Sequence, residues 1–263
     1  MSVSRRAVLK SAAIAGAAAM ARCSPPNQND GMTDVLFAPA LSTIPIDGTD
    51  QSFAVRRIYC VGRNYAAHAR EMGSDPTREP PFFFQKPRDA VQIVPPGITI
   101  DHPYPPATKN YHYEVELVAA LGRGGKDVPI QRALDLVYGY AVGLDMTRRD
   151  LQRMMGDQQK PWELGKAFDK SAVVTHLHRA EKTGHIAKGA IWLKLNGTIK
   201  QTSDLDKMIW NVAEQIANLS QYYELFPGDL IYSGTPENVG PVVKGDVIEG
   251  HVDGLYDLNA RIV

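Results

Sequence analysis

The sequence has two cysteines, Cys23 and Cys60, in 263 residues. So few in so long a chain exclude a disulfide-built scaffold. Charge of either sign in excess is also missing: 29 Lys and Arg balance 29 Asp and Glu. That removes bulk attraction to nucleic acid or to an anionic membrane surface. No stretch approaches the ~18 apolar residues of a spanning helix, and no internal repeat is present. The remainder, 44% hydrophobic and 22% charged, is ordinary globular usage, sufficient for one large domain or two small ones.

The N-terminus differs in character. "MSVSRRAVLKSAAIAGAAAMARCS" carries paired arginines, then a weakly hydrophobic Ala-rich run, then Ala19-Met20-Ala21. Residues 1–21 read as an export signal cleaved after Ala21, and Ser4 to Lys10 resembles the twin-arginine type, which implies a periplasmic protein; the alternative is a basic N-terminus on a cytoplasmic one. Cleavage would remove Arg5, Arg6 and Lys10, leaving 26 basic against 29 acidic residues, a net of −3. Residues 22–50 are polar and Pro-rich and read as a tether and small N-terminal segment with an entry strand. Residues 51–263 are expected to form the main domain.

Within that domain, "RRIYCVG" (56–62) reads as a buried strand, and "NYAAHAREMG" (64–73) as a short helix ended by Gly73. "PFFFQKP" (81–87) is an aromatic strand closed by Pro87. "YHYEVELVAALG" (111–122) alternates like one half-buried strand, and "VYGYAVGLDMT" (137–147) is a long apolar strand leading into the helix "RRDLQRMM". Asn196-Gly197 between alternating segments predicts a tight hairpin. Leu205, Met208, Ile209, Val212, Ile216, Leu219 and Tyr223 predict one face of a long helix. "GDLIYSGTP" and "GDVIEGHVDG" follow as short strands. The sum is a β-rich α+β domain.

Several residues in this pattern can carry chemistry. Glu114 and Glu116 are two apart, so in a strand both point one way and repel. A divalent cation with oxygen ligands would remove the conflict, and Asp145 at the end of another strand offers a third carboxylate. The alternative is a solvated strand face with Asp145 as a helix cap. His68 and Glu71 stand i, i+3 on a short helix, either as a base with its orienting carboxylate or as a surface pair. Lys166 can hold an anionic oxygen or be solvated. Arg149 and Gln152 lie one turn apart just beyond Asp145. Thr235 sits in the Gly/Pro loop "SGTPENVGP", a carboxylate receiver or only a turn.

"YCVGRNYAAHAREMG", "PPFFFQKP", "YHYEVELVAALG", "GYAVGLDMTRRDLQ", "PWELGKAFDKS", "LNGTIKQ" and "PGDLIYSGTPENVGP" occur in the order and spacing of the fumarylacetoacetate hydrolase family, which the chain resembles over roughly residues 50–263. The resemblance implies a mixed β-sandwich roll, usually dimeric. It implies that Glu114, Glu116 and Asp145 surround Mg²⁺ or Mn²⁺. His68 and Glu71 match the water-activating dyad of a lid, and Lys166 joins them as a catalytic residue. Arg63, Arg149, Gln152 and Thr235 match substrate-binding positions. The implied activity is hydrolysis of the C–C bond of an acylpyruvate, a diketo acid. The pattern looks most like bacterial members acting on fumarylpyruvate in gentisate breakdown. Alternatives are oxaloacetate decarboxylation or another acylpyruvase reaction on the same site, or a non-catalytic periplasmic binding protein. An export signal is unusual for such an enzyme.

Overall fold

The computed structural model describes residues 36–73 and 79–263. The expected signal, residues 1–21, and most of the expected tether lie outside the described residues. Leu41–Val263 form one compact unit. Residues 41–50, read from sequence with the tether, are part of it: Thr43–Pro45 pairs antiparallel with Ser52–Ala54, and Ile44 is fully buried.

Two larger sheets carry the fold. The path of the larger runs Phe82–Lys86, Arg57–Gly62, Asp229–Tyr232, Val115–Leu121, Val137–Asp145, Ala172–Thr175, Val91–Val94. Most pairs are antiparallel, but Asp229–Tyr232 with Arg57–Gly62 and Ala172–Thr175 with Val91–Val94 are parallel. The second sheet has five strands, with the hairpin Ala190–Leu195/Thr198–Asp204 at one edge. Asn196 (φ 52°) and Gly197 (φ 77°) make its turn, as two positive φ angles in succession require. This is the strand-rich mixed architecture of the α+β reading.

The larger sheet is covered on both faces, which corrects the half-buried expectation. Along Val115–Leu121 all seven residues are buried. Odd positions, such as Leu117 and Ala119, enter the main core shared with the second sheet. Even positions, Val118 and Ala120, enter a smaller core with Ile58, Cys60, Ala141 and Val174. Each fully buried Leu or Val contributes about 1.5–3 kcal/mol relative to exposure. The period of two also places Glu116 and Asp145 on the face of the smaller core, at its open end.

Two further expectations change. Segment 111–122 is not one strand: Tyr111–Tyr113 belongs to a three-stranded sheet with Thr147–Arg148 and Gly240–Val242, and the chain crosses at Glu114 into Val115–Leu121. The long helix from Leu205 is interrupted. Leu205–Lys207 is a 3₁₀ turn capped by Asp204, and the helix proper is Val212–Tyr222. It starts there because Asn211 and Glu214 form a reciprocal capping box at 3.0 Å in each direction, which satisfies two donors that the first turn leaves open. Asn211→Ala should therefore lower stability by about 1 kcal/mol, read as a lower urea midpoint with unchanged slope. An unchanged midpoint would mean packing alone starts the helix.

Candidate active site

Glu114, Glu116 and Asp145 converge where the larger sheet ends. Their register brings them together: Glu116 pairs with Gly143, and the Asp145 amide donates to the Glu114 carbonyl at 2.9 Å. One carboxylate oxygen from each lies within 4.8 Å of the others, and all three residues are buried. Gly143 is needed opposite, because a Cβ there would stand 2.6 Å from Val118 Cγ2 and 2.7 Å from the Tyr232 ring.

Three buried cations answer these carboxylates. Lys166, from the short helix Glu163–Lys166, donates to Glu114 Oε2 (2.7 Å), Asp145 Oδ2 (2.8 Å) and Thr147 Oγ1 (2.7 Å). Those bonds use all three ammonium protons. Arg149, in the helix Arg149–Asp157, donates from Nη2 to Glu114 Oε1, from Nη1 to Gln152 Oε1 (2.5 Å), and from Nε to His112 Nδ1 over a long 3.4 Å. Burial first, then the Arg149 charge, holds His112 down to about 4. Neutral at ordinary pH, it accepts at Nδ1 and donates from Nε2 to Asn110 Oδ1 at 2.8 Å. The third cation is Lys86, whose Nζ lies 2.8 Å from Asp145 Oδ1. That contact is a buried ion pair, and among the described residues Oδ1 has no further partner.

The carboxylates are unequal. Burial alone would raise Glu114, but the Lys166 and Arg149 charges outweigh it and hold it well below the usual carboxylate range. Burial raises Glu116, and the Asp145 and Glu114 charges raise it further; among the described residues its one donor is the Gly234 amide at 2.8 Å. The site thus has an all-oxygen donor set and a buried carboxylate short of positive charge. Those features fit a hard divalent cation such as Mg²⁺ or Mn²⁺.

His68 and Glu71 lie on the helix Ala66–Glu71. His68 Nδ1 faces Glu71 Oε2 at 3.0 Å, and the Asn238 amide donates to the same oxygen at 3.1 Å. Burial opposes but does not overcome these contacts, so Glu71 is lowered. Asn64 anchors the start of this helix: its amide nitrogen donates to Trp210 O (2.9 Å) and Ser233 O (2.7 Å), and its oxygen accepts from Trp210 N (2.8 Å). Thr235 accepts from Gln201 Nε2 at 2.9 Å, while Gln201 Oε1 accepts the Val115 amide at 3.1 Å.

Nine of the ten site residues read from sequence line one small cavity of about 20 Å³: Arg63, His68, Glu114, Glu116, Asp145, Arg149, Gln152, Lys166 and Thr235. Glu71 lines the adjoining cleft of about 750 Å³, which shares Arg63, Gln152 and Trp162 with the cavity. Arg63 is exposed, with its guanidinium 5.8 Å from the Trp162 ring centre. Sequence reasoning missed Lys86, Asn64, Gln201 and His112 as individual contributors. For Lys86 a signal existed: a charge closing the aromatic strand "FFFQK" just before Pro87.

The sign of the pH dependence follows. Glu116's folded value lies above its unfolded one, near 4.5, so the native state holds that proton more tightly and metal-free stability falls as pH rises above that value. Glu114 acts oppositely: its contribution is present above its unfolded value and lost as pH falls through its depressed folded one. Glu116→Gln removes the first liability while keeping an acceptor for Gly234. In chelator, the variant should gain on wild type between about pH 5 and pH 8. A constant gap in urea midpoints across that range would refute the assignment.

A family model described as the fumarylacetoacetate hydrolase C-terminal domain matches residues 57–263. A fumarylpyruvate hydrolase from Ralstonia sp is 47% identical over 188 residues, 72% of this chain and 95% of its own. A mitochondrial oxaloacetate tautomerase from Pongo abelii is 40% identical over 207 residues, 79% of this chain and 91% of its own. The crystal structure of a fumarylpyruvate hydrolase from Pseudomonas aeruginosa, in complex with Mn²⁺ and pyruvate, superposes with a TM-score of 0.86 at 56% identity, covering 88% of this chain and 99% of that one. With the motifs, the sheet order and the carboxylate cluster in agreement with them, the chain belongs to the fumarylacetoacetate hydrolase family.

Proposed function

We propose that the protein is a hydrolase of carbon–carbon bonds that cleaves an acylpyruvate, with fumarylpyruvate giving fumarate and pyruvate. The observation that carries this reading is the meeting of a His68–Glu71 pair and three buried carboxylates around one cavity. The Ralstonia and Pseudomonas relatives, named for this activity, support it. Glu114, Glu116 and Asp145 would hold a divalent cation, which would supply Lewis-acid stabilisation of charge on the substrate's oxygens.

The chain's own groups divide the remaining work. Glu71 accepts at His68 Nδ1, which fixes the tautomer and leaves Nε2 as the basic atom. His68 Nε2 takes a proton from water as the water oxygen bonds to the distal carbonyl carbon. The bond between that carbon and the pyruvyl methylene then breaks, its electron pair staying on the methylene as an enolate. The imidazolium returns the proton to that carbon, and the new carboxylic acid releases its own to solvent. Lys166 commits all three of its donors within the protein and Arg149 three of its five; together they hold Glu114 and Asp145 and supply fixed positive charge. The substrate is met by Arg63, by the Gln152 amide nitrogen, which has no protein acceptor among the described residues, and by the Thr235 hydroxyl.

Oxaloacetate is the second substrate reading, favoured by the relative named as its tautomerase. Its decarboxylation also passes through pyruvate enolate and needs no activated water. A binding protein without turnover would have no use for the His68–Glu71 pair. Assay of the mature protein with Mn²⁺ against fumarylpyruvate, acetylpyruvate and oxaloacetate separates these. Because a positioned base contributes ~10²–10⁴-fold, His68→Ala should lose about that much turnover on fumarylpyruvate at nearly unchanged metal affinity. Any oxaloacetate decarboxylation should survive better. Wild-type hydrolysis by His68→Ala would place the base elsewhere.

The twin-arginine-like segment supports export to the periplasm, and the family resemblance supports a homodimer. Fusing residues 1–30 to a folded reporter should carry it to the periplasm, and Arg5→Lys with Arg6→Lys should stop it. A reporter held in the cytoplasm by the unaltered segment would refute export.

A further inference from the structure

Lys86 is unlike its strand. In Phe82–Lys86 it alone is buried, and its ammonium enters the face of the sheet that carries Glu116 and Asp145. It donates to the carbonyls of Met146 (3.2 Å) and Lys166 (2.5 Å) and forms a buried ion pair with Asp145 Oδ1 at 2.8 Å. A buried ammonium carries a desolvation cost of several kcal/mol, far more than two bonds to carbonyls require. Neutral donors would satisfy those carbonyls equally well. The charge itself needs a reason.

Counting the ionised groups supplies one. Once a divalent cation displaces the proton that Glu116 holds in the metal-free protein, Glu114, Glu116 and Asp145 carry three negative charges against the three positive of Lys86, Lys166 and Arg149. The side chains then cancel, and the cation itself leaves the loaded site at +2. That surplus matches a dianion such as the enolate of pyruvate, with its carboxylate and its enolate oxygen. Without Lys86 the loaded site would be +1 and better matched to a monoanion. We propose that Lys86 is a positioning residue for charge. Through its ion pair with Asp145 it offsets one carboxylate, trading metal affinity for selectivity toward a dianionic ligand. The inference rests on the metal-site reading above.

The test uses the mature protein and two variants. Lys86→Met removes charge and donors, while Lys86→Gln removes charge and keeps a donor for the carbonyls, so it remains informative if the first variant does not fold. Mn²⁺ binding is measured by calorimetry, and inhibition by oxalate, a dianionic enolate mimic, is compared with inhibition by pyruvate, a monoanion. With a like charge gone from beside the cation, Mn²⁺ should bind the folded variants at least roughly tenfold more tightly. Oxalate inhibition should weaken more than pyruvate inhibition does. A merely structural strap predicts the opposite for the metal, since a misplaced Asp145 binds worse. Weaker or unchanged Mn²⁺ affinity, or equal loss of the two inhibitors, overturns the proposal. Failure of the wild-type protein to bind Mn²⁺ would instead overturn the metal-site reading.

Discussion

The site depends on one ammonium group. Lys166 Nζ lies between Glu114 and Asp145 and ties them to Thr147. These partners come from a crossing between two sheets, the end of a central strand, and the segment after it. Three buried carboxylates so close would otherwise repel one another and draw the structure apart. Removing one partner of such a buried pair costs about 3–5 kcal/mol because the other charge is stranded. Arg149 and Lys86 extend the same compensation, so the helix Arg149–Asp157 and the strand Phe82–Lys86 are held by charge as well as by packing.

Close approach does the rest. Gly234 has φ +99°, and a Cβ there would stand 2.6 Å from that of Asn64. The loop therefore passes close enough for its amide to reach Glu116 and its Ser233 carbonyl to receive Asn64. The same loop meets Glu71 through the Asn238 amide. One segment thus touches a carboxylate of the cluster, the start of the helix that carries His68, and the residue that orients His68. The dyad and the carboxylates are positioned by a common backbone rather than by separate supports.

Much of this was legible in the sequence, because it rests on local rules. Period-two apolar runs gave the strands, Asn196-Gly197 the hairpin, and the unusual Glu114/Glu116 spacing the carboxylates. The chain's crossing at Glu114 was not legible, since alternation continues unbroken through "YHYEVEL" while the hydrogen-bonding partners change. The helix starting at Val212 was overextended because apolar spacing from Leu205 suits a helix, and the Asn211–Glu214 capping box outweighed it. Lys86, Asn64 and Gln201 were hidden for a different reason. Their roles lie in tertiary partners 60, 146 and 34 residues away, a relation that spacing along the chain does not encode.

The distribution of committed and uncommitted donors separates binding from chemistry. Lys166 spends all three donors inside the protein, so it cannot turn to a substrate without breaking a buried ion pair. Among the described residues the Arg63 guanidinium and the Gln152 amide nitrogen make no hydrogen bond, and both residues line the cleft. The small cavity is about 20 Å³, too small for more than an ion or a water, whereas the cleft of about 750 Å³ is walled by Phe82, Phe84, Trp162 and Pro161. The rigid, charged floor is therefore suited to the part that all acylpyruvates share. Under the proposed acylpyruvate reaction the acyl group would lie against the aromatic wall, where Phe82 and Trp162 meet edge-on at 4.9 Å. That reading would assign discrimination among acyl chains to this wall and to Arg63, with the charge-compensated floor fixed beneath them.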